Sequence, residues 1–411
     1  MVLTGREKGF LLNNEDFKHA LKSCSKYCGS ILQYFNSSKK NKSYEYQKLN
    51  EYYDKLQKIY NDLSISAICF SCLTPFHLYT SILLAKNKYR QDYKILLISE
   101  HMANSYNIYS RVLDTDIFNE VIFIREIEKD YEFINNEMKV LSNYKIDILH
   151  YFSWGSIANM LILNYLNEET KIILTDEGLL TYKISEVADK YIEQGHKFLS
   201  SLLNRIDEIW LYEPKLYSSS LRKKILKINT KNIFDILDVY NYIFNYVPKN
   251  EDYDILFLDQ YISQAGLMTL EREKMLIEVI VSFFGNSKIA VKKHPADKNC
   301  NYKYADINIK VLYDNIPFEV IVLNQIYNNN INNKVFITYT SSSLINLLSI
   351  FNINSNKVIF LRNILNLFSK ERRLDENKTE ISFWERCLEV YGDRIIMPDD
   401  FNELSKLLSL T

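Results

Sequence analysis

The feature that most constrains the fold of this 411-residue chain is its alternation of short apolar segments with amphipathic ones, which starts near residue 65. In the first half this pattern predicts the strands Ile65–Cys72, Tyr93–Ser99, Glu120–Ile124, Ile146–Phe152, Lys171–Thr175 and Glu208–Tyr212. It restarts after residue 252 and predicts the strands Tyr253–Asp259, Lys288–Lys292, Ile309–Tyr313, Lys334–Tyr339 and Lys357–Leu361. Nearly continuous apolar strands separated by helices are typical of parallel, doubly wound sheets. We therefore predict an α/β protein with two Rossmann-like domains.

The length of the chain agrees with this division, because it exceeds what one ordinary hydrophobic core holds. We expect a helical N-terminal extension over residues 1–64, an N-terminal Rossmann-like domain over 65–248 and a C-terminal one over 249–411. The stretch from Ile65 to Ala85 has no charged residue and is long enough to cross a bilayer. Thr74-Pro75 interrupts it, which favours a strand, a turn and a helix instead.

Composition excludes several classes of function. The net charge of −1 gives no polycationic signature, so we expect no nucleic-acid partner. The chain has nine glycines and neither the dinucleotide-binding nor the P-loop glycine pattern. Two cysteine pairs, Cys24/Cys28 and Cys69/Cys72, have a spacing compatible with zinc, but buried packing is favoured for the second pair. Free thiols without a signal peptide predict a cytoplasmic protein.

An acidic motif follows the predicted strand at Lys171–Thr175. It consists of Asp176, Glu177 and Gly178, with Thr181-Tyr182 after it. Open α/β sheets bind ligands at the carboxyl ends of their strands, and a carboxylate held there suits a general base. Neighbouring side chains of an extended segment point in opposite directions, so we expect one carboxylate to face the cleft and the other to anchor the loop. The alternative is a solvated turn or a helix cap.

Two motifs of the second half also follow predicted strands. Lys292, Lys293, His294 and Pro295 offer positive charge and an imidazole that donates to a phosphate oxygen. The second motif is a run of hydroxyl residues at a predicted helix start, and it comprises Thr340, Ser341, Ser342 and Ser343. Such a cluster with free N–H groups binds an anion, although simple helix capping also explains it. A D-x-D sequence, Asp114-Thr115-Asp116, is interpreted as a loop or cap and not as a metal site.

Together the three motifs resemble those of the bacterial polysialyltransferases of capsule synthesis, over roughly residues 65–365. Asp176-Glu177-Gly178 matches the acidic motif, His294-Pro295 the second motif, and Ser341-Ser342-Ser343-Leu344 the serine motif. The resemblance implies the GT-B architecture, in which two Rossmann-like domains face each other across a cleft. It also implies an inverting sialyltransferase that uses CMP-sialic acid, with the acceptor on the first domain and the donor on the second.

The resemblance further implies the roles of the residues. Glu177 would act as the base, Asp176 would orient the loop, and His294, Ser342 and Ser343 would stabilise the departing CMP phosphate. The remaining substrate-binding residues would be Gly178, Lys293, Pro295, Thr340 and Ser341. Because the leaving group is a phosphate monoester, no metal or other cofactor is expected.

The expected partners are CMP-sialic acid and a sialylated or galactose-terminated glycan, with peripheral contact at the inner membrane or a capsule assembly. An anionic glycan favours a basic groove, for which Arg222-Lys223-Lys224, Lys227 and Lys231 are candidates, or else an ordinary solvated helix face. Three other functions stay open. They are transfer of a single sialic acid to a galactose-terminated lipooligosaccharide, another GT-B reaction such as a different CMP-sugar transfer or UDP-sugar epimerisation, and non-catalytic binding in capsule assembly.

Overall fold

The structure is a computed structural model, and it describes residues 51, 65–249, 252–285, 287–295, 297, 300–305, 307, 309–312, 316–353, 357–369 and 378–409. The predicted helical extension over 1–64 lies almost wholly outside the described residues, as do Cys24 and Cys28. Over the described part of the chain, no helix is both long and apolar enough to cross a membrane.

The first sheet has seven parallel strands. They are β1 (Ile65–Cys72), β2 (Tyr93–Ser99), β3 (Glu120–Ile124), β4 (Tyr144–Tyr151), β5 (Lys171–Thr175), β6 (Ile206–Leu211) and β7 (Lys224–Lys227). Their spatial order is β3-β2-β1-β4-β5-β6-β7, so the direction of winding reverses between β1 and β4. In sheets of this kind the ligand crevice opens beyond the carboxyl ends of the strands, next to such a reversal.

The second sheet has six parallel strands. They are β8 (Ile255–Leu258), β9 (Ile289–Lys292), β10 (Lys310–Leu312), β11 (Val335–Thr338), β12 (Lys357–Phe360) and β13 (Ile395–Ile396). Their order is β10-β9-β8-β11-β12-β13, with the reversal between β8 and β11. The two sheets confirm the predicted α/β class and the GT-B architecture.

Helices cover both sheets. Those of the first half are α1 (Pro75–Asn87), α2 (Ser105–Leu113), α3 (Tyr131–Met138), α4 (Ile157–Leu161), α5 (Leu179–Tyr182), α6 (Ile184–Glu193), α7 (Phe198–Arg205) and α8 (Leu237–Ile243). Those of the second half are α9 (Leu270–Phe284), α10 (Cys300–Tyr304), α11 (Phe318–Tyr327), α12 (Ser343–Phe351), α13 (Arg362–Phe368), α14 (Lys378–Tyr391) and α15 (Phe401–Ser409). Short 3₁₀ turns lie at Lys139–Asn143, Ile162–Tyr165, Pro214–Leu216, Ile233–Ile236 and Gly392–Arg394.

Helix α1 shows how local sequence sets an element's start. Thr74 is its N-cap and accepts a hydrogen bond from the backbone N–H of His77 at 3.2 Å. Pro75 occupies the first helical position, where its missing N–H has no intrahelical role. The uncharged stretch from Ile65 is therefore a buried strand, a turn and a helix, as predicted. Cys69 and Cys72 of this strand are free thiols buried in the core.

The structure corrects the interpretation of residues 224–227. The alternative to a basic groove there was a solvated helix face, but Lys224–Lys227 forms the edge strand β7, paired with β6. Both lysines of this strand form ion pairs. Lys224 Nζ lies 3.2 Å from Glu208 Oε1, and Lys227 Nζ lies 3.7 Å from Glu213 Oε2. Lysines on an edge strand also oppose unwanted pairing with other chains.

Helix α14 of the second half packs against the first domain. The Arg386 guanidinium donates to the backbone carbonyl of Tyr217 at 3.0 Å. The ring of Phe383 lies 5.9 Å from that of Tyr182, the last residue of α5. One buried hydrophobic cluster accordingly includes residues from both sheets, for example Leu174 of β5 and Leu256 of β8. The loops of the two sheets are thereby held close to each other.

Candidate functional site

Asp176 is the internal support of the acidic loop. It is wholly buried, and each carboxylate oxygen accepts hydrogen bonds: Oδ1 from the Gly178 N–H at 2.9 Å, and Oδ2 from the Tyr182 hydroxyl at 2.6 Å and the Tyr212 N–H at 3.0 Å. Burial raises the pKa of Asp176 to about 6, although these donors oppose the rise. With both oxygens engaged, this carboxylate shapes the loop and has no open side for a substrate.

Glu177 is the carboxylate that the loop presents. Its backbone N–H donates to the Thr181 hydroxyl at 3.0 Å, which fixes the main chain. Its side chain is 10% exposed, and Oε2 lies 3.6 Å from Nε2 of His77. Among the described residues, none donates a hydrogen bond at normal length to this carboxylate. The two acidic residues thus have the opposite orientations that an extended segment predicts.

Gly178 brings the two domains into contact. Its φ of +112° and ψ of −153° belong to a region that residues with a Cβ rarely adopt. A Cβ built on Gly178 would lie 2.7 Å from the hydroxyl oxygen of Ser342 in the other domain. The absence of a side chain therefore lets the acidic loop and the serine loop approach each other closely.

The serine loop connects β11 to α12. Ser342 is at the N-cap position of α12, yet its hydroxyl makes no capping hydrogen bond. Ser341 Oγ accepts instead from the backbone N–H of Ser343 at 3.3 Å. The backbone of Thr340 is fixed by its N–H, which donates to the Gln260 side-chain oxygen at 2.8 Å. Capping thus accounts for Ser341 and leaves the Ser342 hydroxyl at the interface between the domains.

The His294 loop follows β9. His294 is partly buried, and its ring lies 4.6 Å from the ring of Tyr261. Burial, followed by the positive charge of Lys292, lowers the pKa of His294 below its usual range. Lys293 is half-buried and Pro295 is exposed. This loop and the serine loop both border residues 260–261, which follow β8, so the three predicted motifs lie on one side of the two sheets.

A buried ionic cluster beneath these loops was not predicted from the sequence. Lys303 is wholly buried, with its Nζ 2.6 Å from Asp259, 2.9 Å from Glu273 and 2.5 Å from Asp297. Burial raises the pKa of Asp259 to about 6, and the lysine opposes the rise. Nζ also donates to the backbone carbonyl of Gln260 at 3.2 Å. We call these four charged residues the Lys303 cluster. It connects the strand end at Gln260 with the His294 loop, because the Asp297 N–H donates to the His294 carbonyl at 3.0 Å.

Two histidines of the first domain, His77 and His150, lie near strand ends and have different surroundings. His150 is a core residue, bonded at 2.9 Å to both the Thr175 and Tyr89 hydroxyls and stacked on Phe70. His77 is equally buried but faces Glu177. The contact of His77 with Glu177 was not predicted from the sequence. The available signal was its place in the first helical turn after β1, at the predicted ligand edge.

Metal ligands do not cluster in the described part of the chain, where no group of three or more His, Cys, Asp or Glu side chains is arranged to hold an ion. Asp114 of the D-x-D sequence is the C-cap residue of α2 and accepts from the Tyr242 hydroxyl at 2.7 Å. This agrees with its interpretation as a cap.

Two Rossmann-like domains, with the acidic loop of one beside the hydroxyl-rich helix start of the other, have the GT-B architecture. The model of the alpha-2,8-polysialyltransferase (POLYST) family matches residues 68–360, and the chain belongs to that family. It is therefore a sialyltransferase, with CMP-sialic acid as donor and a glycan as acceptor. A comparison with curated proteins found no match.

Solved structures with a similar arrangement share little sequence with this chain. An α/β-galactoside α-2,3-sialyltransferase of Photobacterium phosphoreum is 11% identical, with 81% of this chain and 98% of that chain covered and a TM-score of 0.47. A UDP-GlcNAc 2-epimerase of Neisseria meningitidis is 12% identical, over 84% and 98% of the chains, with a TM-score of 0.47. MurG of Acinetobacter baumannii is 9% identical, over 84% and 90%, with a TM-score of 0.41. At this distance no substrate or residue role transfers from them.

Proposed function

We propose that this protein extends polysialic acid by an inverting, metal-independent transfer in which Glu177 is the general base. The observation that supports the proposal is that the two neighbouring acidic residues, Asp176 and Glu177, have different surroundings. Asp176 is wholly buried with both oxygens engaged, while Glu177 has no hydrogen bond of normal length to its carboxylate among the described residues and directly precedes Gly178, which approaches the serine loop. A sugar hydroxyl is a weak nucleophile until its proton is leaving, and Glu177 is the carboxylate placed to take it.

The reaction proceeds as a direct displacement. The acceptor hydroxyl oxygen attacks the anomeric carbon of the donor while the bond from that carbon to the CMP phosphate oxygen breaks. The acceptor proton goes to Glu177, and the electron pair of the broken bond goes to the phosphate. The new bond forms on the opposite face of the sugar, which inverts the anomeric configuration.

The second domain stabilises the departing phosphate. The Ser342 hydroxyl, which makes no capping bond, and the Ser343 hydroxyl lie at the start of α12, where the helix dipole adds partial positive charge. His294 donates an N–H from the neighbouring loop. These donors replace the charge compensation that a divalent ion gives to other transferases, so we expect full activity in a chelator.

The acceptor is a negatively charged chain in this proposal, extended for a capsule by an enzyme positioned at the inner face of the membrane. Exposed lysine side chains of β7 support an anionic acceptor, since Lys224 and Lys227 are 66% and 59% exposed even though each binds a carboxylate. Sedimentation with anionic vesicles tests the membrane part, and absence of binding at low salt would refute it.

The test of the function is a product analysis. Purified protein is incubated with CMP-sialic acid and EDTA and with either a fluorescent oligosialic acid or lactose as acceptor, and the products are resolved by length. A ladder of longer chains is the expected result. Transfer of one residue to lactose, without a ladder, would identify a mono-sialyltransferase. No transfer by folded protein, or transfer only after a divalent ion is added, would contradict the proposal.

The test of the base is Glu177→Gln, which keeps the shape of the side chain and removes its basicity. We expect turnover to fall by about 10²–10⁴-fold, the usual contribution of a general base, while CMP still binds in calorimetry. Glu193→Gln is the matched control, because Glu193 is an exposed glutamate at the end of α6. An active Glu177→Gln enzyme would exclude Glu177 as the base.

A further inference from the structure

His77 lies next to the proposed base although it comes from another part of the chain. It is in the first turn of α1, directly after β1, and is 1% exposed. Its ring stacks on Phe152, with centroids 4.7 Å apart and planes inclined by 10°. Phe152 follows β4, so the histidine is held at the reversal of strand order where sheets of this type bind ligands.

The hydrogen bonding of the imidazole determines which nitrogen carries its proton. The backbone N–H of Leu73 donates to Nδ1 of His77 at 3.2 Å. Nδ1 therefore uses its lone pair as an acceptor, and the ring proton is on Nε2. Nε2 is the atom that faces Oε2 of Glu177, at 3.6 Å. The donor is thus pointed at the carboxylate by a backbone contact that does not depend on substrate.

The distance of 3.6 Å is longer than a formed hydrogen bond. Contacts between catalytic groups are often long without substrate and shorten when the reacting complex forms. A small rotation of the Glu177 side chain closes the gap, and no other described residue makes a hydrogen bond with this carboxylate that the rotation would break.

We propose that His77 is a positioning residue for Glu177, an inference that rests on the proposed role of Glu177 as base. Its Nε2–H binds Oε2 and so presents Oε1 to the acceptor hydroxyl. His77 keeps its proton throughout, and the acceptor proton ends on Glu177. Without this contact the carboxylate samples other rotamers, and a displacement of about 1 Å at a reacting group is enough to slow catalysis roughly 10²-fold.

Two substitutions separate this role from simple packing. His77→Gln keeps an N–H donor near the position of Nε2 but loses the stacked ring, and we expect it to retain most of the turnover number. His77→Phe keeps the stacking on Phe152 but has no donor, and we expect kcat to fall about 10²-fold with the KM for CMP-sialic acid little changed. The opposite order, an active Phe variant and a folded but inactive Gln variant, would overturn the proposal. If His77→Phe does not fold, His77→Ala replaces it as the variant without a donor.

The matched control is His150→Gln, since His150 is as buried as His77 but bonded to Thr175 and Tyr89. It is expected to lower the thermal midpoint without the selective loss of kcat. Comparing the single variants His77→Phe and Glu177→Gln separates the two hypotheses. A fully active Glu177→Gln enzyme would refute the assignment of Glu177 as the base. If Glu177→Gln is inactive but His77→Phe has an unchanged kcat, only the positioning role of His77 is refuted.

Discussion

Gly178→Ala tests the close approach of the acidic loop to the serine loop of the other domain. The substitution has two separate effects on stability. An alanine at φ +112° and ψ −153° is strained by about 1–3 kcal/mol. Its Cβ would also lie 2.7 Å from Ser342 Oγ, and moving that hydroxyl off its rotamer costs about 0.5–1.5 kcal/mol more. We therefore expect a total loss of about 1.5–4.5 kcal/mol.

Ser342→Ala separates these two effects. Without Oγ, the nearest atom of residue 342 is its Cβ, at 3.5 Å, which is an ordinary contact distance. The double variant should therefore recover about 0.5–1.5 kcal/mol and keep the backbone strain. Gly195→Ala is the control for strain alone, because Gly195 has φ +102° and a Cβ added there would meet no other atom within 4 Å.

The assay is urea unfolding of the four variants and the parent, followed by both circular dichroism and tryptophan fluorescence. Coincident transitions are required before free energies are compared, because two-domain proteins often unfold in stages. If Ser342→Ala leaves the effect of Gly178→Ala unchanged, the two loops do not touch as described. A loss for Gly178→Ala no larger than for Gly195→Ala would lead to the same conclusion.

Three further predictions concern titratable groups. Burial and Lys292 lower the pKa of His294. Binding of the negatively charged CMP phosphate should raise that pKa, so binding should be accompanied by proton uptake. Calorimetry at pH 6.5 in two buffers should detect this uptake, and His294→Gln should abolish it. The pKa of Asp176 is raised to about 6, so the folded state binds its proton more tightly than the unfolded chain. The stability of the parent relative to Asp176→Asn should therefore increase, by at most about 3 kcal/mol, as the pH falls from 7 to 4. Lys303→Met should destabilise the protein by about 3–5 kcal/mol at pH 7.5. That loss should shrink at pH 5, where Asp259, with its pKa of about 6, is protonated; an equal loss at both pH values would refute the account.

Most of the strands could be predicted because their signal is local. Strands β1, β2, β3 and β5 have the predicted bounds, and most of the others differ by one or two residues at their ends. The edge strand β7 was missed because its sequence begins and ends with lysine and has two apolar residues between them. Strand β13 has only two residues, which is too short for any periodicity to be visible.

The sequence by itself determined which residues lie at the carboxyl ends of strands, because an apolar run followed by polar residues is a local pattern. It also indicated that one acidic side chain would face inward and the other the cleft, since side chains alternate along an extended backbone. The match of the family to residues 68–360 agrees with the motifs that suggested it.

Only the tertiary structure decided which of these residues meet. The contact of His77 with Glu177 depends on the order of β1, β4 and β5 in the sheet, and that of Gly178 with Ser342 depends on how the two domains face each other. The three carboxylates around Lys303 likewise come together from separate elements. Such contacts join residues that are far apart in the chain. The periodicity of either segment does not depend on them, so they can be identified only from the folded structure.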